Sequence, residues 1–435
     1  MLKDFKISVG IMAEEQLRVS FLDVYSCDNR EFTGTWDARV AKGQIVFTNG
    51  TEEYNAQSFF FSAEDGSFSV EDVTIGVNFH WEAKEVQSFQ GNLKLIVEGE
   101  KVRLINELSI EDYLCSVISS EMSAMSSIEL LKAHTIISRS WLIAQIEKSQ
   151  KEKTYNSYVE DDEERIRWYD REDHDTFHVC ADDHCQRYQG LTRQLSPLVK
   201  QAVDATRGVV LKYDGEICDT RYYKCCGGMT EEFDTCWEPE SYHYLKGIVD
   251  NDSMPLGLNI DLRNEENAKA WIMSNPEAFC NVTDRAVLSQ VLNDFDQSTL
   301  DFYRWKVEYS QSELSELIKQ RSGIDFGEIK ELISLERGSS GRIYKLKIVG
   351  TKRTFTLGKE LEIRKILSTS HLYSSAFVVE YGESVDDIPQ KIALYGAGWG
   401  HGVGLCQIGA AVMAEKGYNY KQILAHYFRG ADLQL

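Results

Sequence analysis

Apolar and polar residues alternate in short runs from Lys3 to about Glu107, as in Lys6-Ile7-Ser8-Val9, Gln44-Ile45-Val46-Phe47 and Leu93-Lys94-Leu95-Ile96-Val97. Gly, Asn and Asp bound these runs, and the pattern predicts strands. The period then changes. Glu111 to Ser119 predicts a short helix, and Ser126-Ser127-Ile128-Glu129 has the form of a capping box opening a long one. Leu130, Ala133, Ile137, Trp141 and Ala144 recur at helical spacing, so the second helix is expected to dock one face on a core and run to about Lys148. Arg139 falls on its other side between Ile136 and Ile143, where a guanidinium needs an acidic partner or a polar cleft.

Farther on, Val159 to Asp175 is dense in mixed charge and reads as a solvated connection. Strands return at Gly208 to Leu211 and Cys218 to Tyr223, followed by a turn at Gly227-Gly228. From about residue 250 to 380, helix-like segments (Gln311 to Gln320, Leu361 to Leu367) alternate with strand-like ones (Tyr344 to Val349). The C-terminal stretch holds a run with glycine at alternate positions. A helix from about Cys406 to Glu415 follows, ended by Gly417, and then a second helix capped by Asn419 and Gln422. No internal repeat interrupts this order. The fold class expected is α+β: β-rich domains with a central helical pair and a C-terminal helical pair. The division expected is a β-rich region at 1–100 and a second region at 101–435 with a mixed α/β insertion at about 250–380.

Composition narrows the function. The chain has 435 residues, 43% of them hydrophobic and 27% charged, which fits a globular chain and excludes a disordered, collagenous or coiled-coil one. With 47 Lys+Arg against 69 Asp+Glu the net charge is −22, and no basic stripe offsets it, so a nucleic-acid partner is not expected. No apolar run approaches the ~18 residues of a membrane span. The opening MLKDFKISVG lacks the basic, apolar and small-residue order of a signal peptide, so no export route is expected from it.

Ten cysteines invite a reading by spacing. Cys27, Cys115, Cys280 and Cys406 are scattered and read as small buried apolar residues. Between His174 and Cys185 stand two thiols and three imidazoles, enough for a tetrahedral zinc site. His174, Cys180, His184 and Cys185 are the expected ligands, with His178 in reserve. Four protein ligands leave no open position, so such a zinc is structural; a Cys180 to Cys185 disulfide is the competing reading. Cys225 and Cys226 adjoin the Gly227-Gly228 turn, and on a strand they point to opposite faces, so at most one bridges readily toward Cys218 or Cys236.

Two further features have acid–base or ligand chemistry in reach. Glu121, in Ser119-Ser120-Glu121-Met122, lies between the two predicted helices near Met122 and Met125. A carboxyl in a partly apolar niche can retain a proton for general-acid work, while the bland reading is a solvated or capping carboxylate. In Gly398-Trp399-Gly400-His401-Gly402-Val403-Gly404-Leu405 an extended backbone leaves one face bare, for close approach of a ligand or of another packed segment. His401 and Gln407 are the polar groups there.

In this order the elements resemble the SpoIID/LytB family of bacterial cell-wall proteins. The resemblance rests on Ile110-Glu111-Asp112-Tyr113-Leu114, Ser119-Ser120-Glu121-Met122, Leu131-Lys132-Ala133-His134 with Ser138-Arg139-Ser140, Cys225 to Glu231, Ser340-Gly341-Arg342, and Gly398 to Ala410. It implies a peptidoglycan lytic transglycosylase, a lyase that cleaves the MurNAc-GlcNAc bond of denuded glycan strands and leaves 1,6-anhydro ends. One carboxyl would serve as acid and then as base. The family's catalytic acid falls on Glu121 and its supporting arginine on Arg139. Tyr223, Gly227, Gly228, Thr230, Gly400, His401, Gly402 and Gln407 are the substrate-binding residues implied. Some similar members carry a His/Cys zinc site, which supports the four ligands above. Cys225, Cys226 and Cys406 depart from the family's small hydroxyl residues. The alternative implied is a non-catalytic glycan-binding enhancer of a cell-wall amidase. The location implied is the cell envelope, with the cytoplasm left open by the missing signal.

Overall fold

The computed structural model describes residues 5–76, 82–123, 126–151, 157–168, 174–182, 184–193, 196–252, 261–291 and 300–435. The chain divides into two units, one of Met1–Leu142, Asp173–Val210 and Leu435, the other of Ile143–Glu172 and Leu211–Gln434. The first holds β1 (Lys6–Glu14), β2 (Gln16–Cys27), β3 (Arg30–Ala41), β4 (Gln44–Thr48), β5 (Glu53–Ala56), β6 (Ser58–Phe61), β7 (Ser67–Ile75), β8 (Ala83–Gln90), β9 (Asn92–Glu98) and β10 (Lys101–Ser109). Helices α1 (Ile110–Glu121) and α2 (Ile128–Ser149) follow. The chain enters the second unit for β11 (Tyr158–Glu160) and β12 (Glu164–Arg167), and returns for β13 (Val179–Cys180) and α3 (Pro197–Ala205).

In the first unit the predicted strands pair as two sheets, ordered β13-β1-β10-β9-β6 and β5-β4-β3-β2-β7-β8. Alternation turns Leu17, Val19, Phe21 and Tyr25 of β2 inward. Aromatic rings dominate what they meet: Trp36 stacks on Phe47 at 4.9 Å, and Phe21 lies 5.0 Å from Phe61. β9 and β10 are hydrogen-bonded neighbours on either side of residue 100, so a line drawn there crosses a hairpin.

Ser109 caps α1, its side chain accepting the Asp112 N–H at 3.1 Å. The helix runs through Glu121 and stops where Met122 turns extended, so Glu121 is the last helical residue and not part of a linker. At the start of α2, Ser127 Oγ accepts the Leu130 N–H at 3.3 Å, while the hydroxyl of Ser126 donates back to Ser123 O. Ser127 therefore caps the first turn of α2. From Ala133 to Leu142 the helix is buried on every side, not on one face. Its polar residues are satisfied locally: Thr135 and Ser140 donate to the Leu131 and Ile136 carbonyls, and Ser138 Oγ meets His134 Nδ1 at 3.3 Å.

The second unit continues with β14 (Val210–Tyr213), β15 (Glu216–Ile217), β16 (Tyr222–Tyr223), α4 (Phe233–Cys236), α5 (Glu265–Met273), α6 (Arg285–Val291), β17 (Arg304–Ser310), α7 (Gln311–Ser322), β18 (Ile329–Arg337), β19 (Ile343–Gly350), β20 (Thr354–Gly358) and α8 (Glu360–Ile366). It ends with β21 (Phe377–Tyr381), β22 (Ser384–Val385), β23 (Ile388–Pro389), β24 (Lys391–Ala397), β25 (Leu405–Cys406), α9 (Gln407–Glu415), α10 (Tyr420–Tyr427) and β26 (Asp432–Gln434). Leu346, Ile348, Phe355, Leu357 and Leu394 anchor its apolar core. The stretch expected as a solvated connection instead supplies β11 and β12, which extend a sheet ordered β11-β12-β20-β19-β18. Short β16 pairs with β25 in parallel, bringing Tyr223 opposite Cys406.

Candidate functional site

Glu121 closes α1, half-buried, and its Oε1 accepts the backbone N–H of Arg187 at 2.9 Å. Met125, expected beside it, lies outside the described residues. Arg139 is 1% exposed and pairs with Glu111 from the first turn of α1. Its Nη2 and Nε meet the two Glu111 oxygens at 2.6 and 3.2 Å, and its Nη1 donates to Val209 O at 3.0 Å. Glu111 also accepts the Gly208 N–H at 3.2 Å. The acidic partner that Arg139 requires is thus Glu111 and not Glu121.

Two residues before Arg187 ends a compact cluster of metal-binding groups. One ligand atom each from His174, Cys180, His184 and Cys185 lies within 4.8 Å of all the others. Cys185 Sγ is 3.5 Å from His174 Nε2 and 3.4 Å from His184 Nδ1, and Cys180 Sγ is 3.8 Å from His184 Nδ1. Both thiols are free rather than joined. Hydrogen bonding from Cys185 and the two imidazoles pushes the Cys180 thiol well down, toward the thiolate a metal takes. Parallel pairing of Gly10 with Cys180 holds one side of the cluster on β1. Gln186 anchors the other, accepting from Tyr113 Oη at 3.3 Å and donating to Ser138 O at 3.3 Å. His178 takes no part: its Nδ1 faces the N–H and hydroxyl of Ser8 at 3.0 and 2.9 Å.

In the second unit the glycine run is not extended. Gly398, Gly400, Gly402 and Gly404 have φ of 76°, 98°, 88° and 84°, all in the left-handed region. A Cβ at Gly400 would lie 2.9 Å from Tyr223 Cβ, and one at Gly402 2.5 Å from Arg342 Cζ. Gly398 faces the Cys225 and Cys226 backbone, and Gly404 the Arg221 carbonyl. Backbone bonds close the same contact, Glu231 N to Gly402 O at 2.7 Å and Trp399 N to Cys225 O at 2.8 Å. These glycines pack against another segment of the protein, one of the two readings of the run, and their left-handed backbone corrects the extended one expected there.

Gly227 and Gly228 are likewise occupied, their missing side chains filled by Ala397 and by Tyr303 with Trp271. Thr230 spends its hydroxyl on Lys246 O and on the Ile248 N–H. Gln407 is buried at the start of α9. His401 is half-buried, its ring edge-on to Tyr223 at 5.3 Å and Trp237 at 4.8 Å. Its Nδ1 accepts the Val403 N–H at 3.1 Å. Burial, aided by the charges of Arg221, Arg364 and Arg342, pulls this imidazole well below its usual range and keeps it neutral. Arg221, paired with Asp219 at 2.6 Å, lies 4.4 Å from the Trp237 ring centre. The Tyr223 hydroxyl is buried without a hydrogen-bond partner among the described residues. Trp237 and Arg221 complete this aromatic rim, and nothing in their spacing marked them. Cys280 and Cys406, expected as scattered apolar residues, instead meet Cys226 in the buried interior.

Comparison with known proteins finds two family models that match parts of the chain. A family model described as Stage II sporulation protein matches residues 98–213, and one described as a domain of unknown function (DUF8618) matches residues 231–404. An uncharacterized protein of Brachyspira hyodysenteriae is 23% identical over 79% of this chain and 72% of its own. The amidase enhancer of Bacillus subtilis is 26% identical over 74% of this chain, which spans only 40% of that relative. Stage II sporulation protein D of Bacillus amyloliquefaciens is 20% identical, with 76% of this chain and 75% of its own covered.

Proposed function

The chain is a SpoIID/LytB-like protein, and from that premise we propose that it is a peptidoglycan lytic transglycosylase with Glu121 as its acid and base. The observation that carries this reading is the setting of Glu121, a half-buried helix-end carboxyl whose Oε1 accepts the Arg187 backbone N–H, two residues beyond the cluster of metal-binding groups. Arg139, if paired with Glu121, would draw off the proton that an acid needs. With Arg139 spent on Glu111, Arg139 becomes a positioning residue that fixes α1 and, through it, Glu121.

Glycoside hydrolysis ordinarily takes two carboxylates, one of which handles water or attacks the sugar. Ring closure takes one. Glu121 gives its proton to the oxygen between MurNAc and GlcNAc as the bond to C1 breaks. The muramic acid 6-hydroxyl then bonds to C1 and returns its proton to Glu121, closing a 1,6-anhydro ring with no water consumed. His174, Cys180, His184 and Cys185 would hold a structural zinc, and the backbone between Cys185 and Arg187 links that site to the N–H on Glu121. In the second unit, the half-buried His401 and Trp237 offer the ring faces and polar edge suited to a sugar. The activity belongs in the cell envelope, where glycan strands are.

A second reading follows from the likeness to the amidase enhancer: a glycan-binding partner of a cell-wall amidase that cleaves nothing. Incubation with denuded glycan strands and mass spectrometry of the products separates the two. The enzyme yields 1,6-anhydro ends; the enhancer leaves the strands whole and raises cleavage only when an amidase is added. Reducing ends formed with water would overturn the transglycosylase mechanism.

A further inference from the structure

Four segments of the second unit, far apart in sequence, bring Cys226, Asp250, Cys280 and Cys406 to one buried place. Their ligand atoms all lie within 4.8 Å of one another. Cys226 Sγ is 3.1 Å from Cys280 Sγ and 3.3 Å from Asp250 Oδ2. The thiols are free, and the sulfur separation is far beyond the ~2.05 Å of a disulfide bond. The geometry points to a second metal site in which these four side chains hold one zinc ion.

The distances suit a single tetrahedral ion. With metal–sulfur bonds of ~2.3 Å, the edge of the tetrahedron is ~3.8 Å, so small shifts of the thiols complete the shell. Four ligands, all buried, leave no position for water, so the ion is structural. Each ligand is already aimed. Asp250 Oδ1 takes the Tyr427 hydroxyl at 2.7 Å and lies 3.4 Å from His426 Nε2, leaving Oδ2 to the thiols and to the Cys280 N–H at 3.2 Å. A Cβ at Gly409 would sit 2.7 Å from Oδ2, so a residue without a side chain is what lets the carboxylate in.

Backbone N–H groups already point at sulfur, as they do around metal-bound thiolates. Those of Cys226 and Gly409 donate to Cys406 Sγ at 3.3 and 3.4 Å, and that of Gly228 to Cys226 Sγ at 3.3 Å. Cys406 is also the N-cap of α9, where the helix end favours negative charge. A carboxylate buried among thiols is costly unless a cation neutralises it. Zinc does so. It would tie the end of β16 to the junction of β25 and α9, beneath the glycine run. Cys225, whose thiol neighbours Cys280 and Cys406, stands beside the site.

Zinc analysis of protein made with ample zinc under reducing conditions tests this site apart from the first. The parent should hold about two ions per chain, and Cys185→Ser and Cys280→Ser about one each. If the first cluster binds nothing, the parent should hold about one, kept in Cys185→Ser and lost in Cys280→Ser. Because Cys280→Ser risks misfolding, the parent is also alkylated in mild urea with and without a chelator. Zinc should slow modification of Cys226, Cys280 and Cys406 at least ~10-fold, the exchange penalty of a closed site. Equal alkylation rates in both conditions, or a mapped Cys226 to Cys280 disulfide in the zinc-loaded protein, would overturn the site.

Discussion

Arg139 and Glu111 form a buried two-point ion pair, with Nη2 2.6 Å from one carboxylate oxygen and Nε 3.2 Å from the other. The pair joins α2 to the first turn of α1, and Val209 O and Gly208 N bond to it in turn. Removing one member leaves a desolvated charge, so Glu111→Gln and Arg139→Gln should each cost about 3 kcal/mol in urea unfolding. The double variant should cost less than the sum, because both singles break one interaction. An Arg139→Gln protein that unfolds like the parent but has lost glycan cleavage would show that the arginine acts on substrate instead.

Glu121 tests the chemistry rather than the fold. Glu121→Gln retains a carbonyl to accept the Arg187 N–H, so the protein should stay folded. It cannot give an acidic proton, and release of anhydro-ended products should fall by ~10²-fold or more. Near-normal release would assign the proton transfer to another group.

What could be read from sequence was local. Asn419 and Gln422 form the expected capping box on α10, because the pattern needs only residues three apart. The four residues His174, Cys180, His184 and Cys185 do come together as their density indicated, since a tight loop cannot carry them far apart. Arg139 announced its need for an acidic partner, but the partner stands 28 residues earlier on another helix, which no spacing rule reaches. The second cysteine cluster was invisible for the same reason: Cys226 and Cys280 are 54 residues apart, and Cys226 and Cys406 are 180. The glycine run failed differently. Alternate glycines look the same whether they bare a strand face or permit left-handed backbone, and φ decides between the two.

Gly402 follows from that correction. Its φ of 88° is strained for any side chain, and a methyl group would lie 2.5 Å from Arg342 Cζ. Strain and overpacking together should make Gly402→Ala at least ~2 kcal/mol less stable, read as a lower thermal midpoint. His401→Ala removes a half-buried ring and should leave the midpoint nearer the parent than Gly402→Ala does, while weakening retention on immobilised glycan. A Gly402→Ala protein as stable as the parent but unable to bind glycan would favour a ligand, not a packed segment, as what the run makes room for.

The first metal cluster should couple to the carboxyl. Cys185→Ser removes a ligand two residues before the N–H that holds Glu121, so zinc and cleavage should fall together. Glu121→Gln should lose cleavage and retain the zinc. Full cleavage by a Cys185→Ser protein proven free of zinc at this site would separate the metal from the chemistry.

Acid should destabilise the first unit through His134. This imidazole is fully buried in α2, and burial lowers its pKa from about 6.5 to about 3. In the unfolded chain it titrates near its ordinary value. Between those two pH values the unfolded state binds a proton that the folded state refuses, so stability rises with pH across the window and is lost as pH falls. The contribution is fully present above pH ~6.5, and at pH 5 roughly 2 kcal/mol of it should be gone. His371, lowered to about 4 by burial first and then by the nearby Arg364, Lys365 and Arg321, adds a smaller loss of the same sign. Urea unfolding at pH 7.5, 6 and 5 should show this decline, and His134→Gln should flatten it whatever its effect at pH 7.5. An equally steep decline in the variant would mean that His134 is not the group taking up the proton.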